Sequence, residues 1–153
     1  MSTTNQFLEK KCQKFTYDVA VDGSMTTATS IVLGTLPKGA LITGGSLHIV
    51  TDMVDADAGD DTTIAFGYTG ATGAFLAATI VSALETGTRF SILPGNYAVA
   101  NDAAEDSAVK TAALRSTSEL LMTADVRVLA TVSNDVAISA GKFNLFIEYY
   151  IST

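Results

Sequence analysis

LGTLPKGALITGGSLHIVTDMV, residues Leu33 to Val54, decides how this chain is read. Pro37 fixes φ at the first position of a turn, and Gly39 takes the conformation that closes it. One strand ends before the turn and the longest strand of the chain begins after it. Beyond the turn the residues alternate. Leu47, Ile49 and Thr51 point to one face, and His48 and Val50 to the other. That is the period of a β-strand. Its length leads one to expect a sheet built around it.

The same pattern recurs upstream. Gln13 to Val21 alternates, with Phe15, Tyr17, Val19 and Val21 on one face, and reads as a half-buried strand. Asp22-Gly23 is a turn signal. Residues 1 to 11 are polar, with Phe7 and Leu8 as apolar anchors, and read as a flexible N-terminal arm that can dock on a neighbour. Ser24 to Ser30 is a loop or an edge strand, and Ile31 to Leu33 a short strand.

Downstream, Asp52 to Asp61 forms an acidic loop before a strand at Thr62 to Tyr68. In that strand Ile64 and Phe66 share one face, while the small Thr63, Ala65 and Gly67 imply close packing against another layer or chain. Thr69 to Gly73 is a glycine-rich turn. Ala74 to Leu84 reads as a strand end and a helical turn, and Arg89 to Leu93 as a short strand stopped by Pro94-Gly95. Tyr97 to Arg115 gives no firm pattern. Ser118 to Thr123 and Asp125 to Ser133 are strands. A turn at Ala140-Gly141 precedes the closing strand Phe143 to Ile151, which is expected to lie against the long strand. Regular short strands with turns between them and no long helix predict an all-β fold. It is an antiparallel β-sandwich, jelly-roll-like, in one domain spanning residues 1–153.

Composition narrows the function classes. The 153 residues are 48% hydrophobic and 16% charged, with net charge −7. The charged share is low for a soluble domain, as expected where a partner covers part of the surface. An acidic chain with 9 Lys and Arg is a poor binder of phosphate backbones, so no nucleic-acid partner is expected. The longest apolar block, Ala74 to Val81, is too short to span a bilayer. Cys12 is the single cysteine, so no intrachain disulfide is possible, and the N-terminus lacks a signal-peptide core. Assembly in a cytoplasm is expected, unless a leader was removed beforehand.

No catalytic set is visible. His48 is the single histidine and shares its strand face with Ser46 and Asp52, but no triad motif accompanies it. The expected role is a plain sheet-surface histidine, and the chain is expected not to be an enzyme. Asp55, Asp57 and Asp60 echo the start of a calcium loop. The bidentate Glu such a loop needs is missing, because Phe66 stands at its position. Gly67, Gly70 and Gly73 lack dinucleotide spacing. On the closing strand Phe146 and Tyr150 lie opposite the core face, where a lone sandwich would be wet. Either a second layer covers them or they meet another subunit, and with Phe7 and Leu8 they are the expected interface residues.

Two segments, TSIVLGTLPKGALITGGSLHIVT (Thr29 to Thr51) and ISAGKFNLFIEYY (Ile138 to Tyr150), resemble small structural proteins of tailed bacteriophages, above all capsid decoration or cement proteins. The shared pattern is a strand, the L-G-x-L-P-K-G turn, a long strand and a closing A-G-K-F-x-L-F-x-E-Y strand. The resemblance implies a β-sandwich on the outer surface of a virion head, a homo-oligomer with a trimer favoured. Its partner would be the major capsid protein, bound by shape and buried area. A binding module of a tail or fibre, recognising carbohydrate or a host surface, is the alternative.

Overall fold

The computed structural model describes residues 8–26, 29–57, 62–92, 120–133 and 136–152. The elements are β1 (Leu8–Asp18), α1 (Val19–Asp22), β2 (Ser30–Leu36), β3 (Leu41–Asp55), β4 (Thr63–Tyr68) and β5 (Ala71–Ile80). A 3-10 turn (Val81–Ala83), β6 (Arg89–Ile92), β7 (Leu120–Leu121), β8 (Val126–Ser133) and β9 (Ile138–Ser152) follow. Two antiparallel sheets form. The first has the order β1-β9-β3-β6, with β7 beside β3, and the second β2-β8-β4-β5. With β7 set aside, each link between successive strands crosses from one sheet to the other, except the β4–β5 hairpin. This is the jelly-roll arrangement, and the sequence pattern anticipated it.

The stretch Leu33 to Val54 links the two sheets: Leu33–Leu36 end β2 in the second sheet, and from Leu41 the chain forms β3 inside the first. Pro37 O accepts from Ala40 N at 3.2 Å, and Gly39 has φ 84°. Positive φ two positions after the first turn residue is the demand of a type II turn, met by glycine. The turn is held from outside: Lys38 N donates to Asp125 Oδ1 at 2.7 Å, and Gly39 N to Met122 O at 2.8 Å. From Leu41 the strand pairs with β9 over its whole length, Leu41 opposite Tyr150 and Asp55 opposite Ile138. The expected pairing of long and closing strands is therefore present.

Both inner faces meet in one core. Phe15, Leu47, Ile49, Leu145 and Ile147 come from the first sheet, and Leu36, Ile64, Phe66, Val128 and Val132 from the second. Phe143 is the hub. Its ring stacks on Tyr17 at 5.9 Å between centroids and meets Phe66 edge-on at 5.0 Å. Such pairs add about 1 kcal/mol to the burial of the rings themselves. The Tyr17 hydroxyl donates to Gly23 O at 2.8 Å, so its burial leaves no unmet donor.

Several expectations are corrected. Leu8–Lys11 are not an arm but the start of β1, paired with Tyr149–Ser152, because the closing strand runs far enough to give their backbone partners. Phe7 lies outside the described residues. β1 stops at Asp18, and Val21 is 80% exposed instead of facing inward. Asp18 caps the short helix by accepting from Ala20 N, and Asp22 accepts from Asp18 N, which together break the strand. Met25, in a segment read as a loop or an edge strand, is fully buried and makes an isolated β-bridge with Ile138. Thr51, expected on the core face, is exposed where the pairing with β9 is bulged, whereas Met53, of the same parity as Leu47 and Ile49, is buried. Ala140-Gly141 does not turn the chain. It lies inside β9, where Gly141 (φ 128°) leaves room for Met53. Thr69-Gly70 alone makes the β4–β5 turn, and Ala71 already belongs to β5. Of the strand expected at Ser118 to Thr123, Leu120–Leu121 form β7 and Met122 and Thr123 do not continue it, while Ser118, Glu119 and Tyr97 to Arg115 lie outside the described residues.

Candidate assembly interface

The face of the first sheet that looks away from the core is built by strand register. Side chains directly opposite in an antiparallel ladder share a face. One row runs Lys14, Phe146, Ser46, Ser91 and the next Thr16, Asn144, His48, Arg89. On either side, Lys10 lies opposite Tyr150, Cys12 opposite Glu148, and Asp18 opposite Lys142. This places Phe146 and Tyr150 on the outer face, as alternation requires, and both are half-buried by their neighbours alone. Lys14 Nζ stands 5.9 Å over the Phe146 ring. Lys10 pairs with Glu148 at 3.0 Å and Lys142 with Asp18 at 3.1 Å. The Glu148 carboxylate holds the Lys10 amine above its ordinary pKa. Leu8, 58% exposed, projects at the end of β1.

The chemistry read from the sequence does not converge. His48 lies beside Asn144 and Arg89 in the ladder, with Ser46 in the next row. Asp52 belongs elsewhere. Its Oδ1 accepts from Thr86 N and Thr86 Oγ1, both at 2.6 Å, which ties the segment after the 3-10 turn to β3. The Thr86 hydroxyl, then the Thr86 backbone N–H, hold the Asp52 carboxyl below its ordinary pKa. The stability this gives is present above the unfolded-state value near 3.8 and is lost as pH falls through the lowered folded value. Asp52→Asn is therefore expected to lower the melting temperature near neutral pH. The gap to the parent should close as pH drops below about 4. Thermal melts of both proteins across that range check it, and a gap that stays constant contradicts it.

Asp55 and Asp57 follow Asp52 at the end of β3, and Asp60 lies outside the described residues. Among the described residues no group of three His, Cys, Asp or Glu side chains is placed to hold a metal ion. Cys12 is exposed on the outer face between Lys10 and Lys14. Among the described residues no helix is long and apolar enough to cross a membrane.

The second sheet presents a different outer face. Val32 is 49% exposed there, and Leu129, Ala65 and Thr131 lie beside it with few charges. Of the small residues of β4, Gly67 has a close neighbour, which is this chain's own β5: a Cβ on it would run into the backbone of Ala71 and Thr72. The sequence missed the cations of the first face as a group. Lys10 and Lys14 at even spacing were a visible signal; Arg89 and Lys142 join them through register alone.

No protein-family model matches the sequence, and no curated protein sequence matches it. The fold has clear likenesses among solved structures. A chain of the Cyanophage Pam1 capsid asymmetric unit superposes with a TM-score of 0.64 at 20% identity, over 99% of this chain and 91% of that one. A chain from the acidic stable capsid of Helicobacter pylori bacteriophage KHP30 gives 0.59 at 15% identity, over 96% and 92%. One from the capsid of Ralstonia phage GP4 gives 0.55 at 17% identity, over 100% and 91%. The chain thus shares, over nearly its whole length and at low sequence identity, a fold found in three phage capsid structures.

Proposed function

We propose that this chain is a structural protein of a phage virion that decorates the outer surface of the capsid and stabilises the shell. The observation that carries the reading is the near-complete overlap with three capsid chains, each of similar length to this one. A domain of this size adds to a shell by burying area against it, and the sandwich supplies two broad sheet faces for that. The major capsid protein is the proposed partner. The outer face with Phe146 and Tyr150 meets a sister subunit in a homo-oligomer, a trimer being favoured. The segment around Phe7 and Leu8 reaches a neighbour.

Capsids lacking the protein, saturated with it and imaged by cryo-electron microscopy, test the reading. Density on the outer surface and a raised melting temperature of the shell are expected. Absence from the shell, or density confined to a tail, overturns it. Phe146→Ser tests the subunit contact. An aromatic anchor at an interface contributes about 2 kcal/mol, so subunit affinity should fall roughly thirtyfold. Sedimentation velocity reads the shift to smaller species, and an unaltered assembly state counts against the contact.

A further inference from the structure

The charges of this chain are segregated, and the segregation has a direction. Although the net charge is −7, the outer face of the first sheet carries four cations, Lys10, Lys14, Arg89 and Lys142, against two carboxylates, Asp18 and Glu148. Lys10 and Lys142 are taken up by Glu148 and Asp18. No ion pair involves Lys14 or Arg89 among the described residues, and the two flank the half-buried Phe146 and His48. At the far end of β3 the balance is reversed. Asp22 closes α1, Asp52, Asp55 and Asp57 follow one another out of the sheet, and Glu85 comes beside them. Backbone bonds gather these segments: Met53 N donates to Leu84 O at 3.0 Å, and Ala56 N to Ala137 O at 2.9 Å. The cation that β9 brings there, Lys142, is the one paired with Asp18.

We propose that the outer face of the first sheet docks a second copy of this chain, and that the second copy presents its acidic end. The inference rests on the homo-oligomer reading above and adds which two surfaces meet. Two bodies of charge −7 repel wherever acid meets acid, so the cationic face is where a like molecule approaches at least cost. Phe146 and Tyr150 supply apolar area at that face, and Lys14 and Arg89 orient the partner around it. The face and the acidic end are different surfaces, so the contact is head-to-tail. Such contacts close into a ring when the rotation permits.

Charge exchange tests this. One variant carries Lys14→Glu with Arg89→Glu, and the other Asp55→Lys with Glu85→Lys. Each alone sets like charge against like at every contact, and self-association should weaken roughly tenfold or more at about 0.1 M salt. Mixed in equal amounts, each variant offers the surface the other lacks, so association should exceed that of either variant alone by several-fold; it reaches the parent's only in an even-membered ring, because a closed trimer keeps one like-charged contact. Sedimentation velocity measures all three samples, with circular dichroism confirming the fold. Should either variant fail to fold, Lys14→Ala with Arg89→Ala and Asp55→Ala with Glu85→Ala replace them; both are then expected to weaken association. A parent that stays monomeric at about 100 μM overturns the proposal, as does a mixture no better than its components. Capsid imaging is read independently. Surface density without charge-exchange rescue sinks this contact alone, whereas rescue without density sinks the capsid reading alone.

Discussion

Phe143→Ala is expected to cost roughly 4 kcal/mol of folding stability. The ring is fully buried on β9 and joins the two sheets, stacked on Tyr17 and edge-on to Phe66. Truncation removes the transfer energy of the ring and leaves a cavity. The walls of that cavity belong to strands fixed on both sides by ladder hydrogen bonds, so it cannot collapse. Domains of this size are stable by about 5–15 kcal/mol, so the variant retains a native fold with a much reduced margin. Urea unfolding followed by tryptophan-free probes, circular dichroism or tyrosine emission, measures it, since the chain has no Trp. Phe143→Leu should recover more than half of the loss, because it refills most of the volume. A loss below about 1 kcal/mol would show that the ring does not bridge the sheets.

Gly67→Ala should cost roughly 3 kcal/mol, and Gly70→Ala, three residues away, only about 1 kcal/mol. The two glycines are needed for different reasons. Gly67 lies in β4 with Ala71 and Thr72 of β5 folded directly over it. An added Cβ would meet their carbonyl groups, and backbone locked in a sheet cannot swing aside as a side chain can. Gly70 has φ 97° in the β4–β5 turn with nothing within 4 Å of an added Cβ, so only backbone strain opposes substitution there. Chemical denaturation of both variants checks the order. Equal losses, or the reverse order, would mean that β5 does not fold back over β4 as described.

How much of this was legible beforehand follows from the range of each interaction. The alternation in Phe15 to Tyr17, Leu47 to Ile49 and Phe143 to Tyr149 is local, and it named the strands and their buried faces correctly. The same alternation carried no warning at Val19 and Val21. There the competing signal was the pair of carboxylates at Asp18 and Asp22, whose bonds to nearby backbone end the strand. At Ala140-Gly141 a glycine was read as a turn because turns are its commonest use. Its function here is to admit Met53, a residue 88 positions away in sequence, and nothing local marks such a requirement.

The candidate interface divides in the same way. Phe146 and Tyr150 were assigned to the outer face from parity within one strand, which needs no knowledge of the neighbours. The cationic surface was not, since Lys14, Phe146, His48 and Arg89 come from four strands and meet through register. The sequence by itself determined the strand periods, the Pro37–Gly39 turn and the all-β class, all set by side chains within a few residues of one another. Tertiary structure alone decided that Leu8–Lys11 join a sheet, where β3 bulges, and that an acidic chain carries one basic face. Those outcomes depend on which strands become neighbours and in what register, and burial of the common core fixes both.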